Sequence, residues 1–155
     1  MNSDYIHIYN NLVKLTRNKE LYKDFKFQDT FSDRLIFFLL HFAFFLKIYK
    51  PNNDKKILQE IYDYIFRQVE LSIREIGYRD QSINKKMKDY LNLFHGMIDK
   101  LHNWDDLTLN SKATILEIFL DNAVNYENLV DYFENYQLNL INNTLNSYIK
   151  GVIKH

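Results

Sequence analysis

The sequence predicts an all-α protein, a single-domain bundle of about six to seven helices around a buried central helix rich in Phe and Leu. Apolar residues recur at helical spacing along most of the 155 residues, and no segment alternates in the manner of a strand. Three Gly and one Pro favour long helices over tight turns. With 46% hydrophobic residues the chain can fill one core, and we treat residues 1–155 as one domain.

The first predicted helix covers residues 3–17, which carry an apolar stripe, and a short helical turn is expected around residues 20–25. Thr30 followed by Asp33 has the outline of a capping box, with Asp in the place of Glu or Gln. The helix that begins there is predicted to end near Tyr49.

The most apolar segment lies inside that helix, at residues 35–46, where LIFFLLHFAFFL is apolar on every side except at His41. Such a helix is either buried at the centre of a protein or spans a membrane. These residues extend for only about 18 Å at about 1.5 Å per residue, and a span needs roughly 20 residues. Lys47 and Lys50 close the segment. We therefore predict a buried central helix, with His41 neutral and held by one or two internal hydrogen bonds.

Residues 51–54 form a clear break, with Asn53 or Asp54 as the N-cap of the next helix. That helix carries an apolar stripe at helical spacing and is predicted to end at Ile76. Gly77 is the expected residue just beyond its end, because glycine readily adopts the left-handed conformation found there.

A fifth helix is predicted to begin near Ser82 and to place Met87 on its apolar stripe. Gly96 lies inside this helix, where glycine weakens the helix relative to alanine. Its presence there predicts the close approach of another helix.

The remainder of the chain is predicted as a loop over residues 103–110 followed by helices over residues 111–124 and 126–152. Asp105 and Asp106 in the loop lack the spaced carboxylate partner of a magnesium–diphosphate site. We interpret them as a capping feature or as plain loop residues.

The residue inventory excludes several kinds of chemistry. The chain has no Cys, which excludes disulfides, thiolate nucleophiles and Cys-ligated metal sites. It has no Gly-rich phosphate loop, nucleophile elbow or HExxH motif. His95, Asp99 and His102 share one helical face, but no further His lies nearby in sequence to complete a metal site. We expect no enzyme activity, no metal and no cofactor.

The beginning of the chain has neither the basic and apolar regions of a secretory signal nor the Arg-rich pattern of a mitochondrial transit peptide, so we expect a cytoplasmic protein. The chain has a net charge of zero, but its charges are distributed unevenly along the sequence. Residues 1–100 carry 17 basic and 13 acidic side chains, whereas residues 101–155 carry 3 and 7. This dipole suits docking to a polar or anionic surface but falls short of the basic face of a nucleic-acid binder, so we expect no DNA partner.

Residues 74–88, which we call the charged turn, concentrate charge between the fourth and fifth predicted helices. Five basic and two acidic side chains give them a net charge of +3: Arg74, Arg79, Lys85, Lys86 and Lys88 against Glu75 and Asp80. Glu75 at the end of one helix, and Lys85 and Lys86 in the first turn of the next, oppose the helix macrodipole at about 1 kcal/mol or less each. Either the turn contains an internal salt bridge, or it is a docking surface for a protein or an anionic lipid face.

Several segments, taken in order, resemble the ubiquinol–cytochrome c chaperone family. They are Asp29-Thr30-Phe31-Ser32-Asp33-Arg34, Leu40-His41, Ser72-Ile73-Arg74-Glu75-Ile76-Gly77 with Asp80, Lys85-Lys86-Met87-Lys88, Phe94-His95-Gly96 and Asn122. The resemblance covers roughly residues 10–153, and the ordered combination is specific although each segment alone is weak. The sequence departs from the family pattern at Gln68, where an acidic residue is expected, and at Met97 and Asp121, where Arg is expected.

The resemblance implies a non-enzymatic assembly chaperone for the cytochrome bc complex (complex III). It would bind newly made cytochrome b, or another nascent membrane client, while peripheral at the inner membrane. Further partners implied are a small partner protein, the ribosome or an anionic membrane surface. The partner-binding residues expected on this basis are Arg34, Arg74, Glu75, Arg79, Asp80, Lys85, Lys86 and Lys88; the structural motif residues are Asp29, His41, Gly77, Met87 and Gly96.

Two other interpretations remain open. The first is a lipid- or isoprenoid-binding helical module that uses the Phe-rich helix as a pocket wall. The second is a helical enzyme, for which the sequence supplies no nucleophile, no oriented general base and no cofactor motif.

Overall fold

A computed structural model describes residues 5–23, 25, 31–121 and 123–154. These residues contain seven α-helices: α1 (Ile6–Thr16), α2 (Phe31–Tyr49), α3 (Lys55–Glu75), α4 (Asp80–Leu101), α5 (Leu109–Phe119), α6 (Tyr126–Ile141) and α7 (Leu145–Lys150). Short 3-10 turns occupy Lys19–Tyr22, Lys50–Asn52 and Trp104–Asp106. The described residues form no strand, only an isolated β-bridge between Phe25 and Ala123. The predicted all-α class is confirmed.

Helix α2 is the central axis of the bundle. It packs against α1, α4 and α6, and every residue from 37 to 45 is buried. A helix enclosed by neighbours on several sides needs apolar side chains all round, which is what the segment from residue 35 to 46 supplies. The predicted buried central helix is confirmed. Among the helices that the structure describes, none combines the length and the apolar character required to traverse a bilayer.

Aromatic pairs join α2 to the helices on either side of it. The ring of Phe42 stacks on Phe94 of α4 with centroids 5.3 Å apart, and Phe44 stacks on Phe133 of α6 at 4.9 Å. Trp104 meets Phe44 edge to face at 5.1 Å. Each such pair adds about 0.5–1.5 kcal/mol beyond the burial of its area. These contacts fix α4 and α6 against opposite parts of the axis.

The ends of α3 agree with the sequence-based prediction. Asp54 is the N-cap, and its carboxylate accepts a hydrogen bond from the backbone N–H of Lys56 at 2.9 Å. Gly77 follows the C-cap residue Ile76 and has a φ of 99°, a conformation that strains residues with a Cβ. Asp29 and Thr30, which we predicted as a motif residue and as the cap of α2, lie outside the described residues.

The predicted single helix over residues 126–152 is wrong, because the chain breaks between α6 and α7. The side chain of Asn143 donates to the carbonyls of Asn139 and Lys154 at 2.8 and 2.9 Å and accepts from the N–H of Lys154 at 2.8 Å. Thr144 then caps α7 by accepting from the N–H of Ser147 at 3.0 Å. Polar side chains that bond to the backbone in this way compete with helix continuation.

Two further predictions need correction. The loop predicted over residues 103–110 contains a 3-10 turn, and α5 begins within it at Leu109 and ends at Phe119 rather than at residue 124. The predicted close approach at Gly96 is also wrong, because a Cβ placed there would meet no atom within 4 Å. Glycine at this position is therefore not required by packing.

Gly151 does show close packing. It is the C-cap residue of α7 with a φ of 74°, and a Cβ on it would lie 2.9 Å from the ring of His7. A side chain at this position would be strained and would collide with α1, so this glycine allows α7 to dock against α1.

Candidate functional site

The charged turn is a solvent-exposed tip between α3 and α4. All residues from 74 to 82 are exposed, and they include two apolar side chains, Ile76 at 48% and Tyr78 at 40% exposure. The structure therefore brings seven of the predicted partner-binding residues, from Arg74 to Lys88, onto one protruding segment. Arg34, the eighth, lies elsewhere, in the first turn of α2.

Arg74 forms the internal salt bridge that was one of our two interpretations of the turn. Its Nη1 donates to Asp80 Oδ1 at 3.0 Å, which links the end of α3 to the beginning of α4. Its Nε donates to Glu70 Oε2 at 3.1 Å. The hydrogen bonds to Glu70 and then to Asp80 raise the pKa of Arg74. Arg74 and Asp80 therefore have partners within the fold.

The macrodipole argument for Lys85 and Lys86 is wrong. Helix α4 begins at Asp80, two residues earlier than predicted, so both lysines lie in its second turn, beyond the part of the helix where the dipole acts strongly. Lys86 Nζ lies 4.6 Å from the centre of the Tyr78 ring, a cation–π contact across the turn. Asp80, an acid, occupies the first turn, where the dipole favours a negative charge.

Three cations of the charged turn differ from Arg74 and Lys86. Arg79, Lys85 and Lys88 are exposed, and within the described part of the chain no carboxylate forms an ion pair with them. These three side chains keep their charge available to an anionic surface.

Arg34 lies at a cavity of about 130 Å³ between α1, α2 and α3. The cavity is open to solvent and is lined by Tyr9, Val13, Thr16, Arg17, Phe31, Arg34, Leu35, Phe38, Val69 and Ser72. Sequence reasoning missed it. The signal available was Ser72, a small polar residue three positions after Val69 on a stripe that otherwise carries large apolar side chains.

His41 joins α2 to α6 through buried polar contacts. Its Nδ1–H donates to the carbonyl of Phe37 at 2.7 Å, and its Nε2 accepts from the hydroxyl of Tyr132 at 2.6 Å. This pairing fixes the tautomer, since a carbonyl can only accept. Burial lowers the pKa of His41 to about 4, against the opposing hydrogen bond to Phe37. The predicted neutral, internally bonded histidine is confirmed.

A sequence model described as "Ubiquinol-cytochrome C chaperone" matches residues 23–133. The chain belongs to the ubiquinol–cytochrome c chaperone family. The crystal structure of the Cbp3 homolog from Brucella abortus has the same fold, with a TM-score of 0.75 and 23% identity over 99% of this chain and 88% of that one. No curated protein sequence matches the chain.

The match to the ubiquinol–cytochrome c chaperone family covers the charged turn, His41 and both helices α3 and α4. It also covers Arg34 and Ser72 at the cavity. Membership in a chaperone family implies a client protein and a function by binding rather than by catalysis.

Met87, one of the predicted structural motif residues, is half-buried against the core, as its place on the apolar stripe predicted.

Asp105 in this family member is neither a helix cap nor a plain loop residue. It accepts hydrogen bonds from Lys47 Nζ at 2.8 Å and from Gln137 Nε2 at 3.1 Å, which join its 3-10 turn to α2 and α6. Although burial opposes it, these two hydrogen bonds hold the pKa of Asp105 below its usual value. This cluster is structural.

The histidines of α4 make no converging set. His95 Nε2 lies 3.1 Å from the hydroxyl of Tyr62 on α3, and its ring stacks on the same tyrosine. In the ranges that the structure describes, no three or more His, Asp or Glu side chains converge as metal ligands.

Proposed function

We propose that the protein is a non-enzymatic assembly chaperone for the cytochrome bc complex (complex III). It binds newly made cytochrome b near the inner membrane and uses the charged turn as its docking surface. The observation that carries this proposal is the family match over residues 23–133, which contains the whole of the charged turn.

The chemistry of the charged turn supports this role. Arg79, Lys85 and Lys88 present positive charge on an exposed tip, and Ile76 and Tyr78 add apolar surface beside it. Basic side chains near a membrane gain about 1 kcal/mol each from anionic lipids, and aromatic side chains favour the interface. A tip of this composition suits an anionic membrane surface or the ribosome, where a nascent client emerges.

The charge-reversal variant Arg79→Glu/Lys85→Glu/Lys88→Glu tests the docking surface. We expect it to retain the melting temperature of the wild-type protein, because these cations make no ion pair within the described residues. Co-purification of cytochrome b from membranes and complex III content should both fall severalfold. The effect should shrink as salt is added, since exposed charges are screened over about 8–10 Å at physiological ionic strength.

The matched control is Lys50→Glu/Lys55→Glu/Lys56→Glu, which reverses three exposed cations at and just before the opposite end of α3. We expect this control to leave cytochrome b binding unchanged. If both variants reduce binding equally, net charge rather than the charged turn is responsible. If neither reduces it, the docking surface lies elsewhere.

The lipid- or isoprenoid-binding interpretation receives less support. Phe42 and Phe44 pack against Phe94, Phe133 and Trp104, which fill the space that a pocket along the axis would need. The cavity reaches α2 only at its first two turns. Native mass spectrometry of the purified protein should show the mass of the bare chain, and a co-purifying apolar ligand would favour this second interpretation.

A further inference from the structure

The cavity between α1, α2 and α3 has an apolar floor. Leu35, Phe38 and Val69 are buried there, and the ring of Tyr9 packs against Phe38 with centroids 5.7 Å apart. An open space lined by such side chains lacks the dispersion contacts that a filled core has. It therefore favours an apolar occupant over water.

Of the three lining residues that carry a hydroxyl group, Tyr9, Thr16 and Ser72, the last two form hydrogen bonds within their own helices. Thr16 Oγ1 donates to the carbonyl of Leu12 at 2.7 Å, and Ser72 Oγ donates to the carbonyl of Gln68 at 3.0 Å. Each hydroxyl proton is thus used within its own helix. The part of an occupant that enters the cavity need not supply an acceptor for either of them.

The rim carries positive charge. Arg17 at the end of α1 lines the cavity and is exposed. Guanidinium groups bind carboxylates in bidentate geometry. An occupant that places a carboxylate beside its apolar part therefore matches both the floor and the rim.

The size of the cavity selects among apolar occupants. Its volume is about 130 Å³, close to the engineered cavity of about 150 Å³ that binds benzene. One phenyl or branched aliphatic side chain fits, whereas a complete acyl chain does not. Size therefore favours a protein segment over a lipid.

We propose that this cavity is an anchor site for a protein partner, which inserts one large apolar side chain and pairs an adjacent carboxylate with Arg17. The inference deepens the proposed function, on which it rests for the identity of the partner as the client. It adds a second contact region, on α1 and the N-terminal half of α2, to the charged turn.

Phenylpropionate is the probe, because it joins a phenyl group to a carboxylate. We expect saturable shifts of the methyl resonances of Val13 and Val69 when the full chain is titrated. The uncharged phenylpropionamide should bind about threefold more weakly, the range of an ion pair at an exposed rim. Equal binding of the acid and the amide, or no saturable shift at these two valines, would overturn the inference.

Two substitutions test the charged rim and the apolar floor of the cavity separately. Arg17→Gln should weaken phenylpropionate binding about threefold, whereas the control Arg67→Gln, which removes an exposed arginine on α3 away from the cavity, should not. Ser72→Leu fills the cavity and should abolish probe binding without lowering the melting temperature, since the carbonyl of Gln68 remains in the helix ladder. If Ser72→Leu proves unstable, Val13→Phe fills the same space from α1.

Co-purification from cells separates a failure of this inference from a failure of the proposed function on which it rests. We expect Ser72→Leu to reduce co-purification of cytochrome b severalfold. Undiminished co-purification with a blocked probe site would overturn the inference and leave the proposed function standing. Failure of the wild-type chain to bind cytochrome b would overturn the proposed function, and the phenylpropionate titration would still decide whether the cavity is an anchor site. A lipid that occupies the cavity of the wild-type chain and is absent from Ser72→Leu would overturn the inference that the occupant is a protein side chain.

Discussion

The interface between α2 and α6 and the charged turn use polar residues in opposite ways. Beside this interface, Lys47 of α2 pairs with Asp105 of the 3-10 turn at 2.8 Å, and Lys112 of α5 pairs with Glu134 of α6 at 2.7 Å; both lysine side chains are only 15% exposed. At the charged turn, Arg79, Lys85 and Lys88 are exposed without a carboxylate partner among the described residues. Paired charge in the first region orders the fold, whereas charge in the second is available to a partner. The two regions should therefore respond differently to substitution.

The largest contrast is expected from Phe44→Ala. Phe44 is fully buried between Phe133 and Trp104, so its truncation should reduce the free energy of unfolding by about 3–5 kcal/mol. The matched change at the charged turn, Ile76→Ala, should alter it by no more than about 0.5 kcal/mol. Urea denaturation followed by circular dichroism measures both. Equal losses would show that the charged turn is part of the core.

The pH dependence of stability should originate at the interface. The pKa of His41 is about 4 in the folded chain and about 6.5 when unfolded, so the unfolded state binds the proton more readily. The contribution is fully present above pH of about 6.5 and is lost as the pH falls towards about 4, by up to about 3 kcal/mol. Unfolding free energies measured across this window should show the loss. His41→Gln should flatten the profile there, and an unchanged slope would assign it to other groups.

Removal of one hydroxyl at the interface should have a smaller effect. Tyr132→Phe leaves the buried Nε2 of His41 without its donor, which should cost about 1–3 kcal/mol of unfolding free energy. Tyr78→Phe removes an exposed hydroxyl from the charged turn and serves as the control. A Tyr132→Phe chain as stable as the control would mean that water replaces the lost hydrogen bond.

The smallest effect is expected from Arg74→Gln. The substitution breaks the ion pairs to Glu70 and Asp80, but exposed pairs contribute little to stability. We expect no resolvable shift in the denaturation midpoint and, if the proposed client is cytochrome b, retained co-purification with it, because Arg79, Lys85 and Lys88 remain. Loss of binding with intact stability would place Arg74 among the residues that a partner contacts.

The sequence was sufficient where local pattern and burial agree. Helix α2 could be placed at the centre because its apolar residues leave no polar face. Gly77 could be placed beyond α3 because a left-handed residue ends many helices. His41 could be interpreted as neutral because a charged imidazole within such a helix would lose its hydration.

The features that the sequence did not predict depend on contacts between distant residues. The break before α7 depends on Asn143 pairing with the backbone of Lys154, eleven residues later. The structural role of Asp105 depends on Lys47, which is separated from it by 58 residues. The cavity depends on how α1 lies across α2 and α3, and Ser72, the one local signal on α3, does not encode that placement.

The contact of Gly151 with His7 has a consequence for the order in which the chain matures. Ribosomes make α1 before α7, and α7 packs on the side of α1 that carries His7. Docking of this side of α1 therefore waits for the synthesis of a segment more than 120 residues away in the sequence.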